Sequence, residues 1–136
     1  RSLRLVSRTY NAISGSASCY PSGTFGQNYD AQLASDGLRN IRNHLAADPS
    51  AHIVVVALGD GVTFLVSGTL DKKGQAYASL VATLAGKGVE FRICETTLTN
   101  RSIDPKSIIP EATSVRSGVA EIARLQTQEG YAYLKP

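Results

Sequence analysis

The chain has 136 residues, of which 43% are hydrophobic and 18% are charged, and its formal charge is +3. This length and composition predict one globular domain over 1–136 that folds without a metal or disulfide. The mild charge comes without the basic stripe and interleaved aromatic residues of nucleic-acid binders, and no apolar run approaches the roughly 20 residues that span a bilayer. The composition therefore favours a soluble protein with neither a nucleic-acid nor a membrane partner.

The N-terminal segment, residues 1–28, has the weakest pattern. Residues 3–6 predict a first strand, and the stretch 14–26, rich in Ser and Gly, predicts a loop. An amphipathic helix follows, whose shared apolar face is formed by Leu38, Ile41 and Leu45. It ends at Asp48-Pro49, because proline disfavours helical backbone in the residue before it.

Strands and helices alternate through the middle of the chain. The run 53–58 is apolar throughout, as expected for a central parallel strand that is buried on both faces. The glycine turn 59–61 ends this strand, and a short helical turn is predicted over 62–66. A second amphipathic helix carries its apolar residues at positions 77, 80, 81 and 84, and a second strand follows over 89–94.

The C-terminal part continues the same alternation. Asp104-Pro105 is typical of a helix start, and a short strand is predicted around 113–115. Ser117 can cap a last helix, which Gly130 ends, and residues 131–134 form a final strand. Helices between strands indicate βαβ units, so the predicted fold class is α/β, a three-layer α/β/α sandwich with a mostly parallel sheet.

Ligands of such sheets bind outside the carboxyl ends of the strands, and the turn Gly59-Asp60-Gly61 falls there. Its glycines permit backbone conformations that expose N–H groups to an anion, which makes the three residues candidate ligand-binding residues. The pattern is neither a dinucleotide fingerprint nor a P-loop. A tight turn without a ligand is the commoner explanation of such glycines.

Cys94 closes the next strand and is the candidate catalytic residue. A thiolate is a soft nucleophile, and helix N-termini near a strand end would lower the pKa of the thiol. Glu95 and Thr96, with Thr97 after them, are candidates to contact a charged sulfur or to shape access to it. The opposing interpretation is structural, because a free cysteine is often only a small buried hydrophobic residue.

The other cysteine, Cys19, is either a resolving partner for Cys94 or an incidental thiol. Two cysteines cannot build a disulfide framework, and no Cys/His cluster supplies zinc ligands. No motif implies a cofactor or a metal, so none is predicted. Methionine is absent, so we expect the translated start to precede Arg1. The compartment stays open between the cytoplasm, which is slightly favoured, and export.

Four stretches resemble the DsrE/DsrF-like proteins of the DsrEFH superfamily, from about Tyr29 to the end of the chain. They are the helix LRNIRNHL, the turn GDGV, the cysteine strand VEFRICETTL and the ending SGVAEIARLQ with GYAYLKP. The resemblance implies a parallel five-stranded sheet with helices on both faces, and homo-oligomers, commonly trimers or hexamers. Relatives in sulfur oxidation and tRNA thiolation carry sulfur as a cysteine persulfide between donor and acceptor proteins, and the matching cysteine is Cys94.

Three functions stay open at this point. The first is a sulfur carrier that accepts and passes sulfane sulfur on Cys94, more a carrier than a turnover enzyme. The second is an oligomeric module that binds a small molecule or anion near Gly59–Gly61, with a structural Cys94. The third is an oligomeric scaffold or regulatory subunit whose exposed strand with Tyr131 and Tyr133 mediates contacts.

Overall fold

The structure of the protein is a computed structural model that describes residues 4–7 and 27–134, with side chains over 34–131. Five strands form one sheet in which every neighbouring pair is parallel. The strands are β1 (Arg4–Ser7), β2 (His52–Ala57), β3 (Glu90–Cys94), β4 (Ala112–Val115) and β5 (Ala132–Leu134). The α-helices are α1 (Gln27–Ala47), α2 (Tyr77–Gly86), α3 (Glu95–Asn100) and α4 (Gly118–Gln128). Short 3₁₀ helices cover Gly59–Leu65 and Pro105–Ser107.

The strand order β4-β3-β2-β1-β5 explains which helix covers which face of the sheet. From β1 to β4 the chain steps across the sheet in one direction, whereas β5 returns to the far edge beside β1. Parallel crossovers are right-handed, so the last connection must cross the opposite face from the first three. The apolar side chains of α1, α2 and α3 accordingly share one core cluster, and Leu125 of α4 belongs to another. The three-layer α/β/α sandwich predicted from the sequence is confirmed.

Strand β2 is buried from Ile53 to Ala57, as its unbroken apolar sequence predicts. Ile53 and Val55 contribute to the cluster under α1 and α2, whereas Val54 and Val56 contribute to the cluster under α4. We call these two sides of the sheet the α1/α2 face and the α4 face. Successive side chains of a strand point to opposite faces, so a central strand needs apolar residues at every position.

Several local predictions are confirmed at the level of side chains. Ser117 caps α4, and its hydroxyl accepts a hydrogen bond from the N–H of Ala120 at 3.2 Å. Asp104 caps the second 3₁₀ helix, and its carboxylate accepts from the N–H of Lys106 at 2.9 Å. The predicted first strand is present as β1, which pairs with both β2 and β5.

Two helical segments differ from the sequence prediction. The turn expected at 62–66 is a 3₁₀ helix that begins at Gly59, whose φ of 60° favours glycine. Helix α3 was not predicted, although it begins directly after β3 without a loop. Its sequence, ETTLTN, holds four β-branched or small polar residues of low helix propensity, so local pattern gave no signal for it. Among the described helices, none is long and apolar enough to cross a membrane.

Candidate functional site

Cys94 lies at the point where two neighbouring strands send the chain to opposite faces of the sheet. β3 continues into α3, whose Leu98 packs in the core of the α1/α2 face. Its neighbour β4 continues into α4 on the other side. Such a divergence between adjacent parallel strands opens a crevice at their carboxyl ends, where ligands of this fold class bind. Cys94 is the last residue of β3, and its side chain packs in the cluster of the α4 face.

The sulfur of Cys94 is a free thiol in a buried position, 5% exposed. Burial raises the pKa of this thiol, because a thiolate loses hydration in an apolar setting. Hydrogen bonds from the Thr97 hydroxyl and from the N–H groups of Gly118, Thr97 and Thr96 lower the pKa by more, so the net direction is downward. The thiolate is thus stabilised by dipoles of the backbone and one hydroxyl.

The N–H groups come from the first turns of two helices. Cys94 itself occupies the N-cap position of α3, so Thr96 and Thr97 present two of the N–H groups that a helix leaves without partners at its start. Gly118 is the first residue of α4. Both helix starts converge on one sulfur because β3 and β4 are adjacent in the sheet, with Cys94 paired to Val115.

Thr97 connects the sulfur to the glycine turn after β2. The N–H of Gly59 donates to the Thr97 hydroxyl oxygen at 3.0 Å, and this bond is buried. A hydroxyl that accepts one hydrogen bond still has its own hydrogen to donate, and the Thr97 hydroxyl lowers the pKa of the Cys94 thiol. The turn therefore orients the donor that stabilises the thiolate.

Gly118 allows the start of α4 to approach the sulfur closely. A Cβ atom at this position would lie 3.1 Å from the Leu58 Cβ and 3.3 Å from the Cys94 Cβ, closer than ordinary van der Waals contact. Any larger residue would push the helix start or its neighbours apart. Glycine is needed at position 118 because its lack of a Cβ allows the helix start to approach Leu58 and Cys94, and not because of a special backbone conformation.

The start of α3 is also tied to the segment before α4. The Thr96 hydroxyl donates to the carbonyl oxygen of Arg116 at 2.8 Å. The helix α4 is held on the sheet by Glu121, which accepts from Arg92 of β3 at 3.3 Å. Both groups of this ion pair are largely buried, with side chains 18% and 12% exposed. These contacts hold the two helix starts beside the same sulfur.

The remaining predicted site residues have other partners within the protein or line another cleft. Asp60 forms an ion pair with Arg101 at the end of α3. The N–H of Gly61 donates to the carbonyl of Leu58 at 3.1 Å, so the N–H groups of both glycines of the turn are engaged within the protein. Glu95 is exposed and lines a separate cleft of about 350 Å³ with Thr99. Their contact with a ligand stays a prediction.

Sequence reasoning missed Gly118 as a member of this site. Its only signal was a glycine directly after a good N-cap residue, where a helix former would be expected. Tyr131, predicted as exposed, is partly buried and packs against the α4 face cluster, which corrects that prediction. Cys19 and the side chain of Tyr133 lie outside the described residues. Within the described part of the chain, no three His, Cys, Asp or Glu residues are grouped closely enough to hold a metal ion.

Comparisons with known proteins agree with this architecture. The sequence model of the DsrE/DsrF-like family matches residues 25–136. Among solved structures, the protein of unknown function MTH1491 from Methanobacterium thermoautotrophicum is similar with a TM-score of 0.66 and 27% identity, covering 100% of this chain and 98% of that one. The ychN protein from E. coli has a TM-score of 0.64 at 14% identity, with 99% and 97% coverage, a likeness of fold alone. No curated protein matches. This chain belongs to the DsrE/DsrF-like family.

Proposed function

We propose that the protein carries sulfane sulfur as a persulfide on Cys94. The observation that supports this best is the set of donors around a buried free thiol, namely three backbone N–H groups and the Thr97 hydroxyl. A thiolate is the nucleophile of sulfur exchange, and these donors favour it at a lower pH than usual. Family membership supports the same function.

In the proposed uptake step, the Cys94 thiolate attacks the terminal sulfur of a donor persulfide or polysulfide. A bond forms between Sγ and that sulfur, the donor S–S bond breaks, and the donor leaves as a thiolate or a shortened polysulfide. In the release step, an acceptor thiolate attacks the outer sulfur of the Cys94 persulfide. The bond between that sulfur and Sγ breaks, and Cys94 leaves as a thiolate. Neither step has a net change of oxidation state, so no external oxidant or reductant is needed.

The burial of Cys94 limits what can reach it. With 5% of the residue exposed, a donor must present a narrow terminal sulfur rather than a bulky disulfide. Because little water reaches this position, the electrostatic interaction between the thiolate and its donors is stronger than it would be at the surface. The same N–H groups that stabilise the thiolate are suited to a persulfide anion. We also propose that a donor protein supplies the sulfur and an acceptor protein receives it. The chain itself would form homo-oligomers such as trimers or hexamers.

Intact mass spectrometry after exposure to sodium polysulfide tests the proposal. The native protein is expected to gain about 32 Da per sulfur atom, and a reductant should remove the gain. Cys94→Ala should take up no sulfur, whereas Cys19→Ser, which keeps Cys94, should behave as the native protein does. An unmodified native protein, or equal uptake by Cys94→Ala, would contradict the proposal and leave Cys94 with a structural role.

A further inference from the structure

A second cleft lies on the α1/α2 face, on the other side of the sheet from Cys94. It has a volume of about 380 Å³ and is bordered by α1, by α2 and by the turn 71–75. Its floor is apolar and consists of Leu38 from α1 with Leu80 and Leu84 from α2. Leu38 and Leu84 are themselves buried core residues, so the floor is a fixed part of the fold.

The rim of this cleft is strongly basic. Among the described residues, five cationic side chains and one carboxylate, that of Asp71, line it; the five are Arg39, Arg42, Lys72, Lys73 and Lys87. The lining therefore has a larger net positive charge than the formal +3 of the whole chain. A concave basic surface with low-dielectric walls concentrates its field and attracts anions.

Most of the positive charge of the rim has no ion-pair partner among residues 34–131. Arg39 pairs with Asp36 at 3.0 Å, but the other four cations form no ion pair with a carboxylate within residues 34–131. The carboxylate of Asp71 instead accepts the N–H groups of Lys73 and Gln75, each at 2.8 Å. These bonds fix the turn, so Lys72 and Lys73 stand at the rim on a preformed support.

The size and lining of the cleft indicate what kind of anion fits. Its volume falls at the lower end of small-molecule sites, which span roughly 300–1,000 Å³. Arginine side chains bind phosphate groups through two parallel hydrogen bonds, and lysine binds them as a point charge. No described residue of the lining is aromatic, which disfavours a nucleic-acid strand held by base stacking.

We propose that this cleft binds a small phosphorylated molecule with an apolar or aromatic body, about the size of a nucleoside diphosphate. The phosphate groups contact the basic rim, and the body lies on the leucine floor. This site is independent of Cys94, since the two lie on opposite faces of the sheet.

Isothermal titration at low ionic strength tests the site with four probes: ADP, octyl phosphate, adenosine and inorganic phosphate. ADP or octyl phosphate should bind saturably, and more tightly than adenosine or phosphate alone, because both halves of the cleft are then used. Which of the two binds better distinguishes an aromatic from an aliphatic body. Arg42→Glu and Lys73→Glu, on separate elements, should each weaken that binding at least tenfold.

Lys106→Glu is the matched control, since it reverses one exposed charge outside the cleft and should change the binding by less than twofold. Equal weakening by all three variants would overturn the proposal, because the binding would then follow only net charge. Absence of saturable binding by both ADP and octyl phosphate would also overturn it. Tighter binding of an oligoglutamate peptide than of either phosphate would assign the cleft to an acidic polypeptide instead.

Discussion

Two buried titratable groups lie on opposite faces of the sheet, and their pKa values move in opposite directions. Tyr77 on the α1/α2 face is 1% exposed, and burial raises the pKa of its hydroxyl, although a 2.9 Å hydrogen bond with Ser35 acts the other way. Cys94 on the α4 face is 5% exposed, and burial also raises its pKa, but the donors around it reverse the direction. Burial alone therefore does not decide whether a group ionises; the donors directed at it do.

The two faces of the sheet also differ in the size of their apolar cores. Among the described residues, 17 buried residues form the core cluster of the α1/α2 face, whereas five form that of the α4 face. Aromatic edge contacts of Phe64 with Tyr77 and with Phe91, at 6.1 and 6.3 Å between ring centroids, lie on the larger side. We infer that the α1/α2 face supplies most of the stability and that the α4 face orders the donors around the sulfur.

The largest effect is expected from Phe91→Ala on the α1/α2 face. It removes a fully buried ring and leaves a cavity, which costs about 3–5 kcal/mol in the free energy of unfolding. Cys94→Ala on the α4 face removes one sulfur atom and should cost about 1 kcal/mol. Urea unfolding followed by circular dichroism measures both. Equal losses for the two variants would contradict the division of roles between the faces.

Thr97→Val should have the next largest effect, because it replaces the hydroxyl by a methyl group of similar size. The buried N–H of Gly59 then loses its acceptor, which costs about 1–3 kcal/mol, and the thiolate loses a donor. Thr97→Ser keeps the hydroxyl and should therefore keep most of the native stability and most of the lowering of the Cys94 pKa. Urea unfolding and the ultraviolet absorbance of the thiolate as a function of pH give the two readouts. If the Ser and Val variants behave alike, the hydroxyl does not have the role assigned to it.

Much of the fold could be predicted from the sequence, because its signals are local. The unbroken apolar run of β2 predicted a strand buried on both faces, and Ser117 and Asp104 predicted helix starts that the structure has. Cys94 was correctly assigned to a strand end. Each of these follows from a few neighbouring residues and elementary chemistry.

The hydrogen-bond network around Cys94 could not be predicted in the same way, because its members come from three separate parts of the chain. Gly59, Thr97 and Gly118 meet only when β2, β3 and β4 stand side by side. Helix α3 was missed because its residues have low helix propensity, and it is fixed by packing of Leu98 in the core. Polar geometry between elements leaves no periodic signal in a sequence.

Gly118→Ala should act on the sulfur with little loss of stability elsewhere. The added Cβ displaces the start of α4 from Leu58 and Cys94, which lengthens the hydrogen bond from its N–H and raises the pKa of the thiol. Loss of one hydrogen bond to a charged group, worth about 1.4 kcal/mol, would lower the ratio of thiolate to thiol at a given pH roughly tenfold. The rate of alkylation by iodoacetamide between pH 5 and 10 reports the thiolate population.

Gly86→Ala is the matched control for this substitution. Gly86 ends α2, and a Cβ there meets nothing within 4 Å, so the thiol should be unaffected. Alanine in place of glycine in a helix should instead raise the free energy of unfolding by up to about 1 kcal/mol. A similar drop in thiol reactivity in both variants would refute the specific role of Gly118.

The smallest expected effect is in the pH dependence of the free energy of unfolding. Tyr77 and Cys94 should contribute slopes of opposite sign, so this measurement tests the comparison between them most directly. Cys94 has a lowered pKa in the folded state, so as pH rises from that value towards the unfolded one, about 8.5, the unfolded chain holds more protons and stability increases. Tyr77 has a raised pKa, so its contribution is complete below about pH 10 and is lost as pH rises further.

Subtracting the unfolding free energies of Cys94→Ser and Tyr77→Phe from those of the native protein isolates each contribution. The difference for Cys94 should rise as pH increases towards about 8.5 and level off above it, and the difference for Tyr77 should fall above about pH 10. Other tyrosines and the lysines titrate in both members of each pair and therefore cancel. A falling difference for Cys94 would mean that burial outweighs the N–H donors, and that the thiolate around which the proposed function is built is not the favoured form.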